Sequence, residues 1–316
     1  MEFAFDAFVS AAAFDGGEAV FALGDGRVVW EGGASVLAHD GAVLAASRHP
    51  SGEGILTGGD DGRLVWARRT GGEALAERGG AWIDVVAASP ASGLIAFGCG
   101  RDVWIKDCAD AAFERRFTHQ RSVAAVAFDP KGRRLAAATY GGAALWWAKI
   151  AEQKPVMLRW AGSHIAVAFS PDGRFLVSSM QENAVHGWRL KDSADMRMGG
   201  YPSKITSLVF VDGWLATSGA NGVVMWPFSG ADGPMGKQAL EIGVDETTLI
   251  ARVAGDGAWM AAGLQDGRVW VSGADGGGLH YVKPEPGAPI TALAVQDGRI
   301  AWGDEAGAAG VAGAQT

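Results

Sequence analysis

Histidine is the residue of this sequence with the widest chemical range, because it can act as a general base or bind a metal near neutral pH. Metal sites need ligands at recurring spacings, and the histidines here show none. The two cysteines, Cys99 and Cys108, are nine residues apart, which is typical neither of a zinc site nor of a disulfide framework. We therefore expect no metal and no cofactor. The six histidines are His39, His49, His119, His164, His186 and His280.

Motifs that organise catalysis are also missing from the sequence. There is no Gly-x-Ser-x-Gly nucleophile elbow, no His-Glu-x-x-His zinc motif and no Gly-x-x-x-x-Gly-Lys phosphate loop. Carboxylates such as Asp25 and Asp266 recur in predicted turns, and turn formation explains them better than paired acid–base catalysis does. We therefore expect that the chain is not an enzyme.

The element that must position these side chains is a tight turn followed by a short apolar strand that ends in tryptophan. Its clearest copy is Gly58-Gly59-Asp60-Asp61-Gly62-Arg63-Leu64-Val65-Trp66, and versions of it recur along the chain. The tryptophans that end these strands are 36 to 44 residues apart, near the period of a four-stranded propeller blade. They are Trp30, Trp66, Trp104, Trp146, Trp188, Trp226 and Trp270.

Each repeat has the same order of elements: an apolar strand A, a Pro/Gly turn, a strand B of small residues, the Asp/Gly turn, strand C with its tryptophan, and a more polar strand D. The pattern predicts a single all-β domain over residues 1–316, a propeller of four-stranded antiparallel blades. Eight blades fit the tryptophan spacing best, with seven as the alternative. The A–B–C sets, numbered first to eighth, fall near 8–31, 42–67, 82–106, 122–148, 163–189, 204–227, 247–271 and 289–312.

The eighth set has no strand D before the sequence stops at Thr316. The segment Glu2-Phe3-Ala4-Phe5 is short and alternating, and it precedes the first strand A. We expect it to become the outermost strand of the last blade, so that the N-terminal strand closes the ring and protects two sheet edges.

At these residues the sequence resembles the WD40-repeat propellers, and the resemblance extends over almost the whole chain. It implies a structural hydrogen-bond network of His39, Thr57, Asp61 and Trp66 in the second set. In the fourth set His119 is present, but Gly141-Gly142 replaces the Asp-Gly pair. No strand C ends in Trp-Asp, and several strands C are one residue shorter than is usual in the family. The many alanines and glycines favour a bacterial source.

Composition limits the classes of partner that we expect. The net charge is −8 and no run of Lys or Arg exceeds two residues, so we expect no binding to nucleic acid. No apolar stretch is long enough to span a membrane, and the N-terminus carries acid where a signal peptide carries positive charge. We expect a monomeric protein of the cytoplasm.

The resemblance implies a non-catalytic platform that binds proteins. In such propellers the D–A loops and B–C turns gather on one face around the channel, here called the loop face. The residues that we expect to bind the partner there are Trp82, Arg121, Tyr140, His164, Tyr201 and Lys204. An enzyme, or a binder of small molecules or metals at the channel mouth, is the alternative function. It would need His, Asp or Glu to converge there, and His164 is a candidate. Scaffolding by a homo-oligomer is a third possibility.

Overall fold

A computed structural model describes residues 1–315, which form strands joined by turns. Within this range no helix is long and apolar enough to cross a membrane. The thirty strands of residues 1–315 are β1 Glu2–Ala4, β2 Val9–Asp15, β3 Glu18–Leu23, β4 Arg27–Trp30, β5 Ser35–Leu37, β6 Val43–Arg48, β7 Ile55–Gly59, β8 Arg63–Arg68, β9 Gly71–Glu77, β10 Val85–Ser89, β11 Leu94–Cys99, β12 Asp102–Asp107, β13 Asp110–Thr118, β14 Val123–Phe128, β15 Arg134–Trp147, β16 Val156–Phe169, β17 Phe175–Met180, β18 Ala184–Arg189, β19 Ala194–Met198, β20 Leu208–Val211, β21 Trp214–Thr217, β22 Val223–Pro227, β23 Leu240–Ile242, β24 Ile250–Gly255, β25 Trp259–Leu264, β26 Val269–Gly273, β27 His280–Lys283, β28 Ile290–Gln296, β29 Arg299–Asp304 and β30 Ala308–Gly313.

The prediction of eight separate four-stranded blades is wrong. Residues 1–315 form seven sheets, of which six have four antiparallel strands and one has six. The seven-blade alternative treated one set as a decoration, whereas the structure joins the fourth and fifth sets in the six-stranded sheet. The sheets are β2–β5, β6–β9, β10–β13, β14–β19, β20–β23, β24–β27 and β28–β30 with β1.

Two long strands, β15 and β16, join the fourth and fifth sets. Each has 14 residues and takes part in two neighbouring antiparallel ladders. Glycines with positive φ allow the bends: Gly141 (91°) and Gly142 (134°) in β15, and Gly162 (128°) in β16. Tyr140 pairs with Ser163 across the bends, so the ladder continues where other sets are separated by a loop. Thus strand D of the fourth set runs directly into strand A of the fifth.

The N-terminal strand closes the last sheet, as predicted. Glu2 pairs with Gly310 and Ala4 with Ala308, so that β1 is the outer neighbour of β30. The rings of Phe3 and Phe5 pack against Phe21 of the first sheet, with centroids 5.5 and 5.8 Å from it. The closing strand therefore contributes apolar contacts between sheets as well as main-chain hydrogen bonds.

Small residues in the B strands let neighbouring sheets approach closely. Gly58 is an example, since a Cβ atom there would lie 2.4 Å from the carbonyl oxygen of Ile83 in the next set. The recurring Asp-Gly turns have a backbone cause as well: Gly26, Gly62 and Gly267 have φ between 77° and 87°, where side-chain-bearing residues are strained. The recurring motif therefore follows from strand packing and turn geometry.

Candidate functional site

The second set contains a closed polar network at the loop face. His39 is buried, with its Nδ1 2.9 Å from Asp61 Oδ1 and its Nε2 2.9 Å from Thr57 Oγ1. Because a carboxylate only accepts, Nδ1–H donates to Asp61, and Nε2 shares a hydrogen bond with the Thr57 hydroxyl. The backbone N–H groups of Asp40 and Arg63 also donate to Asp61. Burial acts to raise the pKa of Asp61, but these hydrogen bonds outweigh it and lower the pKa below its usual value.

Trp66 lies outside this network, contrary to expectation. Thr57 is opposite Val65 across the strand pair, whereas Trp66 is opposite Leu56, so the indole is on the other face of the sheet. There its Nε1–H donates to the carbonyl of Glu53, and its ring stacks on His49 at 4.0 Å. A shift of one residue along a strand is enough to move a side chain from one face to the other.

The sixth set builds a similar network from different residues. Tyr201 takes the histidine's place: its hydroxyl lies 2.6 Å from Thr217 Oγ1 and accepts a 2.7 Å hydrogen bond from Trp226 Nε1. Trp226 is opposite Leu215, two residues from Thr217, and so shares its face. Burial raises the pKa of Tyr201 to about 12. The phenol is therefore a neutral, internally bonded group.

The fifth set has its own buried polar pair. His164 Nδ1 is 2.6 Å from Ser178 Oγ, and its Nε2–H donates to the carbonyl of Trp160. Burial lowers the pKa of His164, so the ring is neutral near pH 7. His164 and Tyr201 are thus interior groups, 1% and 8% exposed, and neither can contact a partner as the sequence led us to expect. The sequence alone could not show this burial, because a histidine or tyrosine before strand A fits the pattern equally well whether its side chain is buried or contacts a partner.

The fourth set differs from the others at the loop face. His119 accepts a 3.0 Å hydrogen bond from Trp146 Nε1 and has Nδ1 3.1 Å from the carbonyl of Arg101. Burial lowers the pKa of His119, consistent with these roles for a neutral ring. Because Gly141 stands where the second set has Asp61, no carboxylate caps this network.

Beside this network lies a cleft of about 430 Å³, here called the groove. It starts between the D–A loop after β13 and the bend of β15, and it continues along the outer strands of the fourth set. His119 and Trp146 are at its base, and Tyr140, with 63% of its surface exposed, is at its mouth. The other lining residues used below are Arg121, Lys154, Met157 and Arg159.

The charges of the groove are of one sign. Arg121, Lys154 and Arg159 line it, and no carboxylate does. Within residues 1–315 none of the three forms an ion pair, although the chain as a whole carries a net charge of −8. Asp102, which is opposite Thr118 at the start of this loop, is already paired with Arg116.

A second cleft, of about 320 Å³, is also lined by basic residues and provides a comparison. Arg134, Arg174 and Arg189 line it, and each is paired with an aspartate at 2.6–3.0 Å. Of the cations in that cleft, only Lys191 has no ion pair within residues 1–315. The groove differs because none of its three cations is paired.

Comparison with known proteins agrees with the fold. The profile of the WD domain, G-beta repeat family matches residues 33–66 and 159–189, which cover almost all of the second set and the whole of the fifth. This chain is a β-propeller that contains WD40 repeats at these residues. Such propellers generally mediate protein–protein interactions or act as scaffolds. A search of curated proteins finds no match to the sequence.

Solved structures resemble the WD40 propeller over most of its length. The computationally designed protein Ika8 is 19% identical, with a TM-score of 0.80 over 98% of this chain and 97% of its own. The β-propeller domain of Cps50 (Swd1) from Myceliophteria thermophila is 16% identical, with a TM-score of 0.66 over 86% of this chain and 96% of its own. At these identities the likeness shows the fold alone.

The WD40 propeller brings only two of the expected binding residues together. Arg121 and Tyr140 meet at the mouth of the groove. Lys204 is exposed but lines a different cleft, of about 380 Å³, together with Arg252 and Gln265. Trp82 is 63% exposed in the loop between β9 and β10, so it is not packed between sheets. The expected residues therefore do not form one continuous site.

Three lining residues, Lys154, Met157 and Arg159, were missed by sequence reasoning. They belong to the segment that leads into β16 and to its first half, where we expected only a polar outer strand. The available signal was the position of Met157 and Arg159 on either side of Leu158, because alternate residues of a strand share a face; Leu158 is buried and both neighbours are exposed. The residues reach the groove because β16 pairs with β15 next to the small residues Gly142 and Ala144.

Within residues 1–315 no group of three or more His, Cys, Asp or Glu side chains is placed to hold a metal ion. His164 in particular spends both ring nitrogens on Ser178 and Trp160. The convergence that the alternative function requires is not present among these residues, so the groove is the site with the most distinctive chemistry.

Proposed function

We propose that this WD40 propeller is a non-catalytic platform that binds a partner protein on its loop face, with the groove as the main contact. The observation that carries the proposal is the groove itself, where an exposed aromatic residue and three unpaired cations surround an apolar base. Tyrosine and arginine are enriched among residues that dominate binding energy. The proposal includes a monomeric platform in the cytoplasm that does not bind nucleic acid, which the acidic net charge supports.

Affinity capture with purified protein from extracts of the native organism tests this function. Wild-type protein and the Tyr140→Ala, Arg121→Ala and Trp82→Ala variants would serve as baits, each checked for an unchanged melting curve. We expect at least one protein to be captured by the wild type and lost with Tyr140→Ala and Arg121→Ala. If every captured protein is retained by both groove variants, the groove is not the contact. Loss with Trp82→Ala alone would move the contact to the neighbouring loop.

A further inference from the structure

We propose that the groove accepts an extended acidic segment of the partner protein, with its carboxylates on the three cations and one apolar side chain against Trp146 and Met157. This deepens the proposed function and rests on it. The chemistry of the occupant follows from the charges, the polar groups already used and the size of the cleft.

The charges require an anion. Arg121, Lys154 and Arg159 are exposed, and none has a carboxylate or side-chain hydrogen-bond partner within residues 1–315. Cations placed together without partners repel one another, and an anionic ligand removes that repulsion. Arg121 projects from the D–A loop, whereas Lys154 and Arg159 belong to the outer-strand side. The ligand charges must therefore be distributed along the groove and not concentrated at one point.

The base of the groove requires an apolar group. The indole N–H of Trp146 already donates to His119, and the hydroxyl of Thr139 lies 3.3 Å from the carbonyl of Gly142. These polar groups have partners inside the fold, so the base offers carbon surface to a ligand. Met157, at 39% exposure, adds an adaptable apolar wall. A side chain such as leucine would bury apolar surface there without leaving a polar group unpaired.

The size of the site favours a peptide over a nucleic acid. A cleft of about 430 Å³ holds a few side chains, and three cations could neutralise only a few phosphates. The protein as a whole carries a net charge of −8, which disfavours a long polyanion. A short segment in which acidic and apolar residues alternate matches both the rim and the base.

Fluorescence anisotropy with labelled synthetic probes tests the inference. The main probe is a short peptide of alternating glutamate and leucine. Three further probes each change one feature. A glutamate–glycine peptide lacks the leucine, a glutamine–leucine peptide lacks the charge, and a single-stranded oligodeoxynucleotide has equal charge on a nucleic acid. We expect the first peptide to bind most tightly, and the peptides that lack either the charge or the leucine to bind at least about tenfold more weakly. Added salt should weaken binding.

Variants locate the contact. The double variant Arg121→Glu/Arg159→Glu should lower the affinity for the glutamate–leucine peptide by more than about tenfold. Lys131→Glu is the matched control, because Lys131 is exposed and without an ion pair but lies in the turn between β14 and β15, away from the groove. Equal loss with Lys131→Glu would show non-specific charge attraction and overturn the inference. So would equal binding of the glutamate–glycine peptide, or tighter binding of the oligonucleotide.

The two proposals fail in different ways. If captured partners depend on Tyr140 but no acidic probe binds, the platform function stands and the acidic occupant is wrong. If the acidic peptide binds in the groove but no partner depends on it, the chemistry of the site stands and the platform function is wrong.

Discussion

The second and fourth sets start from the same sequence pattern and reach opposite outcomes. In the second set His39 forms hydrogen bonds with both Thr57 and Asp61, so these polar groups have partners inside the fold. In the fourth set Gly141 replaces the aspartate, and His119 accepts a hydrogen bond from Trp146 instead. The groove with its unpaired cations lies beside this pair. The recurring motif is therefore internal structure, and the proposed binding site lies where a set departs from it.

The same difference explains why the fourth and fifth sets share one sheet. The Asp-Gly turn of the second set ends β7 and begins β8 as separate strands. Without that turn, the fourth set continues through its glycines as one bent strand, β15, and the two-residue bend leaves room at the groove mouth. The departure from the motif thus accompanies both the continuous strand and the groove.

The largest expected effect comes from filling the bend of β15. Gly142→Ala should lower the free energy of unfolding by at least about 3 kcal/mol, because φ is 134° and the new Cβ atom would lie 2.1 Å from the carbonyl oxygen of Leu158. Chemical denaturation measures this. The matched control is Gly141→Ala, which has open space around its Cβ position and should cost only about 1–2 kcal/mol. Equal losses would show that the bend is not the tight point of the sheet.

The second-largest loss of stability is expected from breaking the hydrogen-bond network of His39. His39→Ala should lower the free energy of unfolding by about 2–4 kcal/mol, because it removes two hydrogen bonds and leaves Thr57 and Asp61 with reduced pairing in a buried cavity. His119→Ala should cost less, about 1–2 kcal/mol, since its hydrogen bonds with Trp146 and with the carbonyl of Arg101 involve no carboxylate that would be left with reduced pairing. A larger loss for His119→Ala in urea titrations would contradict the contrast between the two sets.

A third histidine extends the contrast to a ring without hydrogen-bond partners, whose Nε2 has only Asp195 Oδ2 at 3.9 Å. His186 is fully buried in β18, stacked on Trp160 at 4.0 Å, and neither ring nitrogen has a hydrogen bond within residues 1–315. Burial, followed by the nearby His164 and Arg197, lowers the pKa of His186 from 6.5 to about 4. Between these two pH values the unfolded chain binds more protons than the folded one at this site. The folded state therefore loses stability as the pH falls from about 6.5 to 4.

This effect should amount to about 2–3 kcal/mol and is measured by urea titration across that pH range. His186→Phe should flatten the profile, because it removes both buried nitrogens and the titration while keeping an aromatic ring beside Trp160. Other buried histidines contribute some slope, so a reduced slope is expected and not its complete loss. A profile as steep as that of the wild type would show that His186 does not titrate in this way.

The smallest expected effect is on the groove itself. Tyr140→Ala and Arg121→Ala should change the free energy of unfolding by no more than about 0.5 kcal/mol, because both side chains are exposed and lack partners. Differential scanning calorimetry of the two variants checks this. A marked fall in Tm for either one would mean that the residue supports the fold, and its loss of binding could no longer be attributed to the groove.

The sequence predicted the propeller well because its evidence is repeated: the tryptophan spacing, the Asp-Gly turns and the alternating N-terminal segment that became β1 are all short-range patterns. It failed on the number of sheets, since the continuity of β15 and β16 depends on the φ angles of Gly141, Gly142 and Gly162 and not on residue type alone.

The site was harder to predict for a different reason. Whether a side chain before strand A points inward depends on strand register, which a one-residue shift reverses. His164 and Tyr201 were therefore expected at the surface although they are bonded inside, and Trp66 was expected in a network that it does not join. Arg159 was missed because it reaches the groove only through the pairing of β16 with β15, in which it is opposite Gly142.

The pairing of β1 with β30 has a consequence for how the protein is made. Synthesis runs from the N-terminus, so β1 leaves the ribosome first and has no partner until almost all the other strands have followed. Meanwhile the hairpins of the intervening sheets can form from neighbouring segments, whereas joining Glu2 to Gly310 must overcome the entropy of closing the whole ring. During that interval the apolar rings of Phe3 and Phe5 stay uncovered, and the nascent chain is most exposed to aggregation and to chaperones.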